Sequence, residues 1–265
     1  KDIIRFHTIY WPIFLMALGE PLPKCIFGHP WLLQGGDKMS KSKGNVLYAD
    51  DLAKNFGVDA VRYFVLHEMP YADDGIITQE LMCDRINSDL ANVLGNLVKR
   101  TVSMTNQYLN GVAKRTGTEG GTDADFESVI RGAYSKVAAK MEEYKVADAL
   151  DALWSLFRRA NKYIDETTPW ILAKDESKKD RLSEVLYNLC VSLDIGAHLL
   201  KSFMPDTAGR ILAEIGAKER AFGSGDCITE YSVTPTPATL FERVKYEDIK
   251  VNIEEQKPHE EVAET

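Results

Sequence analysis

The chain has 265 residues, 45% of them hydrophobic, with a formal net charge of −8. That length can bury one large core or two smaller ones, and the acid excess excludes a uniformly basic protein that coats nucleic acid while leaving room for a local basic patch. Its four cysteines, Cys25, Cys83, Cys190 and Cys227, stand far apart with no C-x-x-C pair, so neither a zinc knuckle, a redox dithiol nor any other metal site is readable.

The first stretch, Asp2 to Leu18, is apolar or aromatic on nearly every face, which predicts a helix buried within a larger structure, ended by Gly19, Pro21 and Pro23. Lys24 to Leu33 reads as a buried strand and a second extended piece, closing an α/β unit. Tyr48 to Leu66 has helical periodicity broken at Gly57. Tyr71 to Ile77, which carries Asp73-Asp74-Gly75, is predicted to be a loop. Thr78 suits the N-cap of a long helix running to about Leu109.

Gly111 to Thr122 is rich in glycine and threonine and is expected to be an exposed connection. Amphipathic segments follow over Asp123 to Glu143, Val146 to Asp165 and Lys179 to Ser202, the last extended beyond Pro205 to Ile215. Such faces need one another, and an antiparallel bundle is the economical arrangement. Ala221 to Phe241 is predicted to be irregular, a short strand or helix fits Phe241 to Ile253, and the charged tail Glu254 to Thr265 is expected to fray. No apolar run is long enough to span a bilayer, Lys1 to Leu18 lacks the layout of a secretory signal, and cytoplasmic residence is expected.

Chemistry concentrates in Lys38, Met39, Ser40, Lys41 and Ser42, set between Gly35-Gly36-Asp37 and Lys43-Gly44-Asn45. Two ammonium groups three residues apart, two hydroxyls and flanking glycines make a cationic loop suited to a polyphosphate, and it is not a Walker A loop. Charge and flexibility alone would equally describe a solvated turn. His29, on the predicted strand before the loop, fits either a packed histidine or a contact on the adenine side of a nucleotide.

The string KMSKS resembles the signature loop of class I aminoacyl-tRNA synthetases. That resemblance implies ATP binding by Lys38, Ser40, Lys41 and Ser42, with His29 nearby, and catalytic roles for Lys38 and Lys41, which would offset charge growing on departing pyrophosphate. ATP is then a substrate, with Mg2+ expected beside it.

Ile3, His7 and Trp11 recur four residues apart and share a helix face, a pattern that serves a core as readily as a pocket. The surrounding KDIIRFHTIYWPIFLMALGEPLPK closely resembles the corresponding helix of the methionyl-tRNA synthetase family. By that resemblance Ile3, His7 and Trp11 wall a methionine pocket, where polarisable contacts suit a thioether. INSDLANVLGNLVKR, from Ile86 to Arg100, is similar to the first long helix of the same family's anticodon bundle, and YIDETTPWILAK, from Tyr163 to Lys174, to its tryptophan-bearing turn. Asn96 and Arg100 match positions that contact the CAU anticodon, and Trp170 matches the ring on which a base stacks. Asn92, Asn96 and Arg100 also form the polar stripe of an ordinary wet helix.

The fold class implied is mainly α: the C-terminal part of a Rossmann-like α/β catalytic domain followed by an antiparallel α-helical anticodon-binding bundle. The expected division is residues 1–47 for the catalytic part, 48–77 for a connector that contacts the tRNA stem, 78–220 for the bundle and 221–265 for an irregular extension. Methionine, ATP and tRNA(Met) are the implied partners, with no membrane; the oligomeric state stays open. No histidine fits the H-x-G-H-type motif that the family carries near its N-terminus, and the chain does not open on Met, so a fragment of a methionine–tRNA ligase, inactive alone, is expected. Two other readings stand beside it: another class I synthetase, for leucine, isoleucine, valine or cysteine, and a non-catalytic RNA-binding module of synthetase ancestry.

Overall fold

A computed structural model describes residues 3–40, 42, 44–71, 73–218, 221 and 228–249. Lys41 and the charged tail lie outside the described residues. The chain opens on a π-helical turn, Phe6–Tyr10, that runs into α1, Trp11–Leu18. Gly19 ends α1 in the left-handed region at φ 72°, and the prolines prevent a restart. The helix was expected to be buried, yet no residue of Phe6–Leu18 is. An all-apolar helix needs cover on every side, and the rest of the described chain touches it only locally, as where Ile4 lies against Gly28.

The expected strand from Lys24 to Leu33 is also corrected: only Leu32–Gln34 pairs, as β1. Its partners are β2, Asp37–Lys38, antiparallel across the Gly35-Gly36 turn, and β3, Gly75–Ile77, parallel through the register Leu32 to Gly75 and Gln34 to Ile77. Gly35 and Gly36, at φ 57° and 96°, supply the two positive φ values of a tight hairpin. These ladders reach three residues of β1, so Lys24 to Trp31 runs as coil. Tyr71 to Ile77 accordingly ends in a strand rather than being all loop.

Between β1 and β3 lie α2, Ala49–Phe56, and α3, Val58–His67, separated at Gly57 with φ 82°. Leu52, Phe64, Ile77 and Met82 form a small core, on which Leu32, Met39 and Leu47 pack. Met39 thus roots the lysine loop. The Thr78 hydroxyl accepts the Leu81 N–H at 3.1 Å and caps α4, Gln79–Arg85. A π-helical segment, Ile86–Gly95, and α5, Asn96–Leu109, continue it without a break.

Two three-residue strands went unanticipated: β4, Val112–Lys114, inside the expected connection, and β5, Glu230–Ser232, inside the expected irregular stretch. They pair antiparallel and point Ala113 and Tyr231 into the core, which is why they form despite their length. Between them come α6, Asp123–Glu142, α7, Val146–Thr167, α8, Pro169–Leu172, α9, Lys179–Leu200, and α10, Pro205–Glu214. Pro205, which has no N–H to give, starts α10 as a separate helix instead of extending α9. Residues 246–249 are again helical.

One large core runs from Ala60 and Tyr63 of α3 through α5, α6, α7, α9 and α10 to Leu240. Tyr63 packs its ring against Trp154, tilted by 34° with centres 4.4 Å apart, and its hydroxyl donates to Asp89 at 2.9 Å. Burial, reinforced by that carboxylate, pushes the Tyr63 hydroxyl pKa far above its ordinary value. Arg62 of α3 donates to the carbonyls of Phe203 and Ser202, and Asp59 accepts the Thr207 N–H at 2.6 Å. The α3 helix is therefore built into the bundle.

Another buried carboxylate, Asp123, receives both Arg181 amino groups, the Tyr163 hydroxyl at 2.7 Å and the Gly120 N–H. Burial alone would raise its pKa, but the Arg181 and Tyr163 hydrogen bonds outweigh that and hold it below the usual aspartate range. A depressed folded-state pKa contributes stability above the unfolded value and loses it as pH falls through the folded one. Asp123→Asn is expected to cost about 3 kcal/mol in urea unfolding at neutral pH, as for other broken buried pairs. The gap to the native chain should close as pH drops below roughly 4.

Candidate phosphate loop and RNA-binding face

The lysine loop hangs on the β1–β2 hairpin. Lys38 ends β2 and lays its ammonium 3.8 Å from the centre of the Trp31 ring, a cation–π contact. Trp31 is fixed in turn, since its N–H donates to Asp74 at 2.9 Å and its carbonyl accepts the Gly75 N–H at 2.9 Å. Beyond Lys38 the loop curls around one side chain. Asn45 accepts the Ser40 N–H at 2.8 Å and donates to the Lys38 carbonyl at 3.3 Å, while the Ser40 and Ser42 hydroxyls meet at 2.8 Å. Lys38, Ser40 and Ser42 are thereby gathered on one turn, and Lys41 lies outside the described residues.

His29 is on coil, not on a strand as expected. Its Nδ1 lies 2.9 Å from the Pro30 carbonyl and its exposed ring is 5.9 Å from that of Tyr71. Asn45, Trp31 and Asp74 were missed from sequence. Asn45 sat at the edge of the recognised loop, and a Gly-Asn pair is a turn mark; nothing local marks the tie from Asp74 to Trp31.

On the first helix His7 and Trp11 do come together, ring centres 6.3 Å apart and edge to face. The π turn causes this. The Trp11 N–H reaches back to the Phe6 carbonyl, five residues earlier, widening the turn so that Phe6 and Tyr10 also face each other at 5.6 Å. His7 Nδ1 sits 3.0 Å from the Ile3 carbonyl, which in the neutral ring places the proton there and leaves the Nε2 lone pair outward. With Ile3 60% and Trp11 43% exposed, the three residues make an open apolar wall with one polar atom.

The polar face of the bundle forms where α5 passes the last turns of α7. Arg100 reaches Asp165 at 2.9 Å, and the exposed Asn96 lies one turn earlier. Asn92, a further turn earlier and also exposed, lies in the π-helical segment and accepts from Arg243 at 2.7 Å. Asp165 is mostly exposed, so its pair with Arg100 contributes little and orients the guanidinium without locking it.

Five residues beyond Asp165 stands Trp170. Thr168, at φ 43°, turns the chain, and Pro169 opens α8 with its ring buried, so that Trp170 and Ile171 project with 38% and 53% exposure. A left-handed β-branched residue is strained, and here the strain falls two residues before the exposed indole. Two donors and an aromatic plane thus occupy one end of the bundle. Among the described residues no group of three or more His, Cys, Asp or Glu side chains is arranged to hold a metal ion.

Two family profiles divide this sequence. The one described as tRNA synthetases class I (M) matches residues 1–102, and the one for the anticodon binding domain of methionyl tRNA ligase matches residues 113–255. The chain belongs to the methionyl-tRNA ligase family. It is 48% identical to the methionine–tRNA ligase of Clostridium tetani over 261 residues, which is 96% of this chain and 40% of that protein. The ligase of Caldanaerobacter subterraneus is 50% identical over 219 residues, 83% of this chain and 34% of the relative. Among solved structures, the Mycobacterium tuberculosis methionyl-tRNA synthetase in complex with methionyl-adenylate superposes with a TM-score of 0.86 at 39% identity, over 91% of this chain and 48% of that one. Its apo form gives 0.83 at 36% identity, over 92% and 48%. The chain therefore spans less than half the length of these ligases.

The side chain of Asn45 closes the turn that gathers Lys38, Ser40 and Ser42. Asn45→Ala is expected to speed amide exchange at Ser40 by about fivefold, the worth of one hydrogen bond of roughly 1 kcal/mol. Thermal unfolding of the bundle should not move, because Met39 roots the loop in the smaller core.

Proposed function

We propose that this chain supplies the phosphate-binding loop and the anticodon-reading bundle of a methionine–tRNA ligase acting in the cytoplasm. The observation that carries the reading is the joining of two chemistries in one chain: a cationic loop at β2 on the small core, and a stacking ring with directional donors at one end of the bundle. In the complete reaction the carboxylate of methionine attacks the α-phosphorus of ATP, forming methionyl-AMP and releasing pyrophosphate. A terminal ribose hydroxyl of tRNA(Met) then attacks the acyl carbon, and AMP leaves.

Lys38 and Lys41 would meet negative charge as it grows on the departing pyrophosphate, with Ser40 and Ser42 as neutral donors and His29 on the adenine side. To do this Lys38 must exchange the Trp31 ring for a phosphate oxygen, and an exposed cation–π contact is weak enough, at roughly 0.5–1 kcal/mol, to permit it. Ile3, His7 and Trp11 offer apolar and polarisable contact to the methionine thioether. An ammonium group cannot ligate a cation, so Mg2+ would enter as the companion of ATP and be held by its phosphates.

At the far end Asn96 and Arg100 would read base edges of the CAU anticodon while one base stacks on Trp170. Binding of an RNA hairpin carrying CAU to this chain, followed by fluorescence anisotropy, tests that role. Trp170→Ala should weaken it by about 5- to 150-fold, corresponding to roughly 1–3 kcal/mol of stacking. Equal binding of hairpins with CAU and with an unrelated anticodon, unaffected by the substitution, would contradict it. Methionine-dependent ATP–pyrophosphate exchange is expected to be absent from the chain alone, because Ile3, His7 and Trp11 form an open wall; measurable exchange would overturn that part.

A further inference from the structure

Four non-glycine residues among those described have positive φ, and two of them, Tyr71 and Tyr144, both at 59°, bring their rings to the same partner. That partner is Phe27. Its ring stacks on Tyr144 at 4.8 Å with the planes 21° apart, and meets Tyr71 edge to face at 5.5 Å. Tyr71 in turn lies 5.9 Å from His29. Tyr144 occupies the turn between α6 and α7, so the contact crosses from the coil before the lysine loop to the bundle. The turn is braced on both sides by ion pairs, Lys145 to Glu143 at 2.6 Å and Lys140 to Asp148 at 3.1 Å. Next to the ring stack, the Cys25 thiol raises the pKa of the Tyr144 hydroxyl.

Left-handed backbone at a bulky residue persists only where its surroundings impose it. Here both strained tyrosines do the same job, closing on one phenylalanine, Tyr71 from the segment before β3 and Tyr144 from the turn between α6 and α7. Residues 24–30 have no strand partner to hold them, although they carry His29 and lead into Trp31, the ring on which Lys38 rests. We propose that Phe27 is a positioning residue: clasped between Tyr71 and Tyr144, it fixes the segment bearing His29 and Trp31 against the bundle and so sets where Lys38 stands. The catalytic meaning of that position rests on the function proposed above, whereas the clasp itself is open to test without ATP or RNA.

Hydrogen exchange on the whole chain, read by mass spectrometry, compares the native sequence with Tyr144→Gly, Tyr144→Phe and Phe27→Ala. Glycine at 144 removes the ring and accepts the positive φ, so a merely local structural role predicts no loss. If the clasp operates, peptides over residues 24–31 exchange about tenfold faster in Tyr144→Gly and Phe27→Ala, while those in α7 and α9 are unchanged. Tyr144→Phe, which keeps the ring, should restore native exchange. Unchanged exchange at 24–31 in Tyr144→Gly would overturn the proposal, as would an equal rise throughout the bundle, which would make Tyr144 a general support of the fold. A failure of ATP or RNA binding leaves these exchange rates as they are, so the two readings fail separately.

Discussion

The buried carboxylate of Asp89 is the constraint on which the rest of the arrangement depends. It lies in the π-helical segment, accepts the Tyr63 hydroxyl from α3 and faces Arg85 at 3.6 Å and Arg158 at 3.7 Å, while its backbone carbonyl accepts the Trp154 indole N–H at 3.3 Å. A charge in that position is tolerable only when several partners meet it at once. Satisfying it therefore requires α3, the long α4–α5 run and α7 to arrive together. Arg85 and His67 share Glu68 beside it, at 2.6 and 2.7 Å, and extend the same network toward the end of α3.

The consequence is mechanical. α3 sits in the crossover from β1 to β3, and the lysine loop hangs on β1 and β2, so fixing α3 to α7 also fixes the sheet to the bundle. From Trp154, where α7 meets Asp89, the helix runs on to Thr167, a span of roughly 20 Å toward Trp170 at 1.5 Å per residue. The lysine loop and the Trp170 end are thereby carried by a single packed body. The polar groups at each end can then stay exposed and adjustable, as the Trp31 rest of Lys38 and the loose Arg100–Asp165 pair both are.

Much of this was legible in the sequence where the physical signal is local. The periodicity of α6, α7 and α9, the cap at Thr78, the break at Gly57 and the bundle architecture all follow from spacing and backbone preference. The lysine loop and the residues Asn96, Arg100 and Trp170 were found by resemblance, because neither a cationic turn nor a polar stripe is distinctive by itself. The β4–β5 ladder escaped notice since each strand is three residues long and the two are far apart in sequence. The π-helical turns left no trace in a 3.6-residue pattern. The tie from Asp74 to Trp31 and the clasp of Phe27 by two tyrosines arise only once the chain is folded. The first segment is helical as its composition predicts but is not buried, because composition tells what a surface wants and not what covers it.

The central claim is that α3 and the bundle are one cooperative unit held through Asp89. Native-state hydrogen exchange as a function of denaturant measures this directly, by comparing the opening free energies of amides around Tyr63 in α3 with those around Trp154 in α7. The account predicts that the two sets share one opening free energy and one denaturant dependence. Amides of α3 that open at lower free energy while α7 remains protected would contradict it.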